Sequence, residues 1–297
     1  MDKTATLTRT TGILTRLSDY TQLMKLRLSS LVVLSAALGF ILGTGESINW
    51  AQFTFLVLGG VLVTGSANTF NQVLEKDTDR LMDRTCQRPL PDERMTVNEA
   101  VFAGIISGMA GLFVLFNLVN TASGMLGMAA LALYAVVYTP LKRVTPFAVF
   151  TGAVPGAIPP MLGWVAATGS FDKGAWILLG IQFLWQFPHF WAIAWVQDDD
   201  YKKAGFALLP SKDGRDRASA FQVLIYSLSL VPAGLLPWFI GVTGITSALI
   251  ISVAGIIFTM YAYRLYRDCT VAAASKVMFA SFIYLPLVLI ALTLDKI

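Results

Sequence analysis

From Val101 to Leu141 the chain contains no Asp, Glu, Lys or Arg, and Ser29 to Thr44 is equally free of charge. A helix needs roughly 20 mainly apolar residues to cross the hydrocarbon core of a bilayer, so these stretches are long enough to span one. Over the whole chain 13% of 297 residues are charged and 56% are apolar. An average soluble domain carries roughly 25% charged residues, and a soluble protein of this length cannot cover its surface with half of that. The pattern excludes a soluble globular domain and predicts an all-α polytopic membrane protein.

Apolar runs bounded by turn and charge signals predict about nine helices, near 28–45, 52–72, 99–119, 122–140, 146–168, 174–196, 219–238, 242–263 and 275–294. Small residues at helical spacing, such as Gly104/Gly108 and Gly152/Gly156, allow close helix packing in lipid. With nine spans and an inside N-terminus, 20 of the 22 Lys and Arg residues fall on one side, leaving Lys173 and Lys296 on the other. The positive-inside rule then places the N-terminus in the cytoplasm and the C-terminus outside. Residues 1–27 are expected to be a polar cytoplasmic segment, unlike a cleaved signal peptide. Residues 28–297 are expected to be one membrane-embedded domain.

Two cytoplasmic loops, 73–98 and 197–218, are long and rich in charge, and they lie four spans apart. This spacing suggests two parallel pseudo-repeats of four helices with the ninth added, which puts both loops on the same face. In the first loop Asn71, Glu75, Asp79 and Asp83 recur every four residues, a spacing that aligns them along one helix face. Like charges so stacked repel unless a cation offsets them. Hard oxygen ligands on a short ridge suit Mg²⁺, which takes one or two carboxylates plus waters and phosphate oxygens. The second loop opens with Asp198, Asp199 and Asp200, followed by Tyr201, Lys202 and Lys203. Arg80, Arg84 and Arg88 interleave the first loop, and Lys142 and Arg143 follow the fourth span. Acids that hold a metal beside bases that hold phosphate oxygens make a diphosphate site. A solvated, salt-bridged surface accounts for either loop alone but not for two acid clusters at matching positions. Asn71 also lies inside an apolar run, where polar groups are costly and usually functional.

Asn71-xxx-Glu75-xxx-Asp79 with Asp83, then Arg84-Thr85 and Arg88-Pro89-Leu90, resembles the first aspartate-rich motif of the UbiA superfamily of intramembrane prenyltransferases. The run Gln186-Phe-Pro-His189-Phe-Trp191, then Asp199-Asp200-Tyr201 through Gly205 and Leu209-Pro210, is similar to the second motif in the haem-modifying branch, as is Tyr138-Thr-Pro140-Leu-Lys142-Arg143. The superfamily's first ridge usually has Asp where this chain has Glu75, which moves that carboxylate by one methylene.

The resemblance implies a UbiA-type bundle in a bacterial inner membrane that transfers a farnesyl group from farnesyl diphosphate to a vinyl group of haem B, giving haem O. It implies Mg²⁺ held by Asn71, Glu75, Asp79 and Asp83, with a second ion at Asp199 and Asp200. Arg80, Arg84, Arg88, Lys142, Arg143, Lys202 and Lys203 become the diphosphate clamps, with Arg84 and Lys142 foremost. The aromatics Trp164, Phe183, Trp185, Phe187, Phe190 and Trp191 are candidates to line a prenyl tunnel, although helix packing explains any one of them. His189 and Trp191 are candidates for haem contact, and the imidazole suits iron ligation, a bond to a propionate, or a cap on a carbonyl. A haem A synthase is an implied partner, and a nucleic acid is not. Two rivals remain at this point: a UbiA-type enzyme with an aromatic acceptor such as 4-hydroxybenzoate, and a secondary transporter. Cys86 and Cys269 are far apart in polar segments and predict neither zinc nor a disulfide.

Overall fold

The computed structural model describes residues 12–297; Lys3 and Arg9 of the expected N-terminal segment lie outside the described residues. Among the described residues nine helices are long and apolar enough to cross a membrane. They are α2 (Leu26–Gly43), α3 (Trp50–Leu74), α5 (Val97–Val114, continued by a π-helical turn), α6 (Thr121–Ala132, continued through a π-helical segment Leu133–Tyr138 into α7, Thr139–Leu141), α8 (Ala148–Thr168), α9 (Lys173–Val196), α11 (Arg217–Phe239), α12 (Ile245–Asp268) and α13 (Val271–Leu294). Three shorter helices lie among them: α1 (Ile13–Leu23), α4 (Lys76–Asp79) and α10 (Asp198–Lys203). The expected spans are present, with ends moved by at most five residues, the largest shift being the extension of the eighth from 263 to Asp268. The α1 helix was not expected. It forms where a polar segment carries enough apolar residues to cover Leu90, Met95 and Ala100 with Leu23.

The two long spans α2 and α8 lie backbone against backbone. A Cβ on Gly163 would stand 1.8 Å from the Ala36 carbonyl oxygen, and one on Gly39 would stand 2.2 Å from that of Pro160. In lipid, helix association gains little from hydrophobicity and depends on such close packing. Helix α8 divides the molecule. Ile158, Leu162 and Ala166 join Phe40, Leu56 and Leu115 in one core, while Val149, Ala153 and Met161 join the larger core built with α9, α11, α12 and α13. Pro155, Pro159 and Pro160 sit inside α8, and Gln182 of α9 donates at 3.3 Å to the Gly156 carbonyl that Pro160 leaves unpaired.

Each four-span half carries its acid-bearing connection after its second span, α3 in the first and α9 in the second. Both connections therefore emerge on the same face of the bundle.

Candidate active site

Helix α3 ends at Leu74, Glu75 breaks it, and α4 closes at Asp79 before a run of turns. This short continuation keeps Asn71, Glu75 and Asp79 on one wall of a cavity of about 460 Å³. The side chains are buried, Glu75 and Asp79 at 2% and 0% exposure. Each meets one cation or donor. Lys25 Nζ donates to Asn71 Oδ1 at 2.9 Å, Lys142 Nζ lies 3.2 Å from Glu75 Oε1, and Arg88 Nη1 lies 2.6 Å from Asp79 Oδ2. The second carboxylate oxygen of Asp79 is buried without a partner. Lys142 also stands 4.6 Å from the centroid of the Phe206 ring, and Arg84 lies 5.8 Å from that of Tyr201; both positions favour a cation over an aromatic face. Phe206 reaches that position because Gly205 takes a positive φ of 72° after α10, a turn glycine adopts without strain.

The two acid loops touch. Asp200 accepts the backbone N–H of Asp83 at 2.8 Å and that of Arg84 at 3.3 Å. Burial pushes the Asp200 carboxyl up, but these two donors together with Lys203 hold it below its ordinary value. The first loop is further pinned by Arg94, which pairs with the buried Asp19 of α1 and donates to the Gln87 carbonyl at 2.8 Å. Arg84, Arg88, Lys142 and Tyr201 therefore face the ridge from a framed wall.

Several expected site residues stand elsewhere. The helical register ends at Asp79, so Asp83 does not continue the ridge. Its side chain is 84% exposed and pairs with Lys203. Asp199 is 79% exposed and pairs with Arg215, while Lys202 turns back on Asp198 at 2.7 Å. A second metal position at Asp199 and Asp200 is thus not assembled: Asp200 is occupied by backbone donors and Asp199 points outward. Among the described residues no three acids, imidazoles or thiols converge as a metal cage. Arg80 binds Glu93 and the Pro91 carbonyl, and Arg143 caps the Leu74 carbonyl at the end of α3. Both are drawn off by nearby acceptors.

Within the bundle, Trp191 is 2% exposed and packs among Phe150, Phe187 and Tyr226. The aromatics of α9 form core rather than the wall of this cavity. His189 lies between α9 and α13, stacked on Trp185 with centroids 4.4 Å apart, its Nδ1 2.7 Å from Ser281 Oγ. Neither residue lines the cavity.

Sequence reasoning missed Lys25, Arg27 and Tyr134, all of which line the cavity. The signal for Tyr134 was a polar ring four residues before Tyr138 in a charge-free run; the π-helical segment that carries both is of the kind found at functional sites. Lys25 and Arg27 gave only the signal of bases next to the first span. Burial, with Arg88 beside it, lowers the Lys25 ammonium to about 7.

Buried oxygens of Asn71, Glu75 and Asp79 face Lys25, Lys142 and Arg88 in one cavity, at one face of a bundle with nine candidate spans among the described residues; this is a polytopic membrane protein with a charged pocket. The UbiA prenyltransferase family model matches residues 32–285, and the chain belongs to that family. It is similar to the protoheme IX farnesyltransferase of Cytophaga hutchinsonii, 46% identical over 94% of this chain and 97% of that protein. A relative of the same name from Christiangramia forsetii is also 46% identical, over 94% of each chain. Among solved structures, a digeranylgeranylglyceryl phosphate synthase superposes with a TM-score of 0.79 at 20% identity, over 94% of this chain and 98% of that one. A UbiA homologue from Archaeoglobus fulgidus bound to GPP and Mg²⁺ gives 0.64 at 16% identity, over 92% and 99%.

Proposed function

We propose that the chain transfers the farnesyl group of farnesyl diphosphate to a vinyl group of haem B, yielding haem O and diphosphate. The observation that carries this reading is the pairing of Glu75 with Lys142 and of Asp79 with Arg88 around one cavity, with Asp200 fixing the loop that carries Arg84. The names of the 46% identical relatives support the choice of substrates.

The donor set fits magnesium. Asp79 offers a buried oxygen without a partner, Glu75 and Asn71 stand beside it, and Mg²⁺ asks a protein for few ligands when phosphate oxygens supply the rest. Bound there, Mg²⁺ would act as a Lewis acid that neutralises the leaving group. Arg84 and Arg88 present planar forks to phosphate oxygens and Lys142 a point charge. With Arg84 held by Asp200 and Tyr201, Lys142 by Glu75 and Tyr201, and Arg88 by Asp79, these cations stabilise the charge that develops as the allylic carbon–oxygen bond breaks and its electron pair leaves with diphosphate. The vinyl π pair then forms the new carbon–carbon bond. Water adds to the cation left beside the macrocycle and a proton is lost, which gives the hydroxyl of the product.

His189 is the haem contact in this reading. Ser281 Oγ donates to the Met278 carbonyl at 2.6 Å, so its oxygen accepts from the imidazole and Nδ1 carries the proton. Nε2 is left as the bare nitrogen, the form that ligates a metal. The excess of Lys and Arg in these loops supports a site on the cytoplasmic side of a bacterial inner membrane, in a single domain whose working loops are 73–98 and 197–218. An enzyme that oxidises haem O further, a haem A synthase, would consume the product.

The test is a competition. Purified protein with farnesyl diphosphate and Mg²⁺ is offered haem B and 4-hydroxybenzoate at equal concentration, and products are separated by mass. Farnesylated porphyrin is expected, and prenylated hydroxybenzoate alone overturns the reading.

A further inference from the structure

Lys25 breaks three local rules at once. It is the residue before α2, where Ser, Thr, Asp or Asn normally caps the helix, and it makes no side-chain cap. It places a positive charge at the positive end of an 18-residue helix, which the helix dipole disfavours. Its φ of 49° is the left-handed conformation, uncommon for any residue with a Cβ. Such departures mark positions where function outweighs local preference. The side chain turns away from its own helix to reach Asn71 Oδ1. The first turn of α2 (Leu26, Arg27, Leu28) lines the same cavity, as does Asp79, whose second carboxylate oxygen is buried without a partner.

We infer that Lys25 is an exchangeable occupant of the metal ridge: it holds Asn71 in the resting site, gives up that oxygen to Mg²⁺, and transfers its ammonium to the diphosphate that arrives with the metal. The inference rests on the proposed binding of Mg²⁺ and a prenyl diphosphate in this cavity. Its physical basis is charge balance. With Lys25, Arg88 and Lys142 each on one ridge residue, the resting site already holds its cations, and Mg²⁺ alone must enter against them. When diphosphate enters with the metal, the displaced Lys25 gains a multiply charged anionic partner at a helix N-terminus suited to phosphate. Metal and diphosphate should therefore strengthen each other, and coupling of this kind is reciprocal.

The experiment measures binding of Mg²⁺ alone, of inorganic diphosphate alone, and of each in the presence of the other, by calorimetry on the detergent-solubilised full chain. Two neutral variants are compared, Lys25→Asn and Lys25→Gly, because both residues accept a left-handed backbone. In the wild type, diphosphate should tighten Mg²⁺ at least about tenfold. In both variants Mg²⁺ alone should bind more tightly than in the wild type, diphosphate in the presence of Mg²⁺ more weakly, and the mutual tightening should shrink to about threefold or less. If Mg²⁺ alone binds as in the wild type while diphosphate weakens, Lys25 is only a phosphate clamp and the exchange is wrong. Unchanged binding of both removes Lys25 from the site. A wild type that binds no diphosphate in the presence of Mg²⁺ overturns instead the reading on which the inference rests.

Discussion

The carboxylate of Asp200 accepts the backbone N–H of Asp83 at 2.8 Å, joining two loops that lie 117 residues apart. A side chain bonded to backbone fixes loop position whatever the neighbouring side chains do. It therefore sets where Arg84 stands over the cavity.

Asp200→Ala removes the carboxylate that accepts both backbone N–H groups, and these two solvent-exposed bonds together contribute about 1.4 kcal/mol. Hydrogen exchange of peptides covering 80–90 should accelerate by about tenfold, with prenyl transfer falling by a similar factor. Because the folded carboxyl is held below the ordinary 3.8, the junction's contribution is present above that value and fades as pH falls through the lowered one. Exchange that is unchanged at neutral pH would show that the loops are held by something else.

Breaking the Glu75–Lys142 pair should be worse than removing it. Lys142→Met leaves a carboxylate at 3% side-chain exposure without its partner, and an orphaned buried charge costs about 3–5 kcal/mol. The Lys142→Met/Glu75→Gln double variant should recover much of that stability without recovering activity. Thermal unfolding in detergent and turnover assays on the four proteins of the cycle check this; additive stabilities would refute it.

Asp79 and Asp199 should separate cleanly. Asp79→Asn removes the unpartnered oxygen's charge and should reduce turnover at least about a hundredfold, on the scale of losing one strong electrostatic contact. Asp199→Asn, at a position that pairs with Arg215 outside the cavity, should stay within about threefold. Equal losses would return Asp199 to the metal site.

Gly163→Ala forces a Cβ into the Ala36 carbonyl. The backbone cannot yield as a side chain would, so α2 and α8 must separate, at about 3 kcal/mol or more. The variant should unfold at lower temperature and elute as aggregate; wild-type behaviour would mean the two helices are not in contact in the membrane.

His189→Ala should insert and fold, since the ring's only described polar contact is Ser281. Haem B titrated into the wild type should shift the Soret band, and the variant should lack that shift and the product. An intact shift removes His189 from the haem.

The spans were legible because crossing a bilayer imposes a length and a composition that no other constraint imitates. Asn71, Glu75 and Asp79 were legible for a similar reason, a four-residue period that survives a brief helix break. Asp83 followed the same period and was misplaced, because periodicity does not reveal where a helix stops. Arg80 and Arg143 were drawn away by local acceptors, Glu93 and the Leu74 carbonyl, that only tertiary structure supplies. Lys25 was hidden for the opposite reason: a base before a first span reads as topology, and only its backbone and its reach to Asn71 mark it as part of the site.

The fate of the two substrates tests farnesyl transfer to haem B most directly. Purified protein is given haem B, farnesyl diphosphate and Mg²⁺, and released diphosphate and porphyrin mass are followed together. One diphosphate per porphyrin carrying a hydroxyethylfarnesyl group is expected. Diphosphate released with the porphyrin unchanged, or solute moved across vesicles with no covalent product, would contradict it.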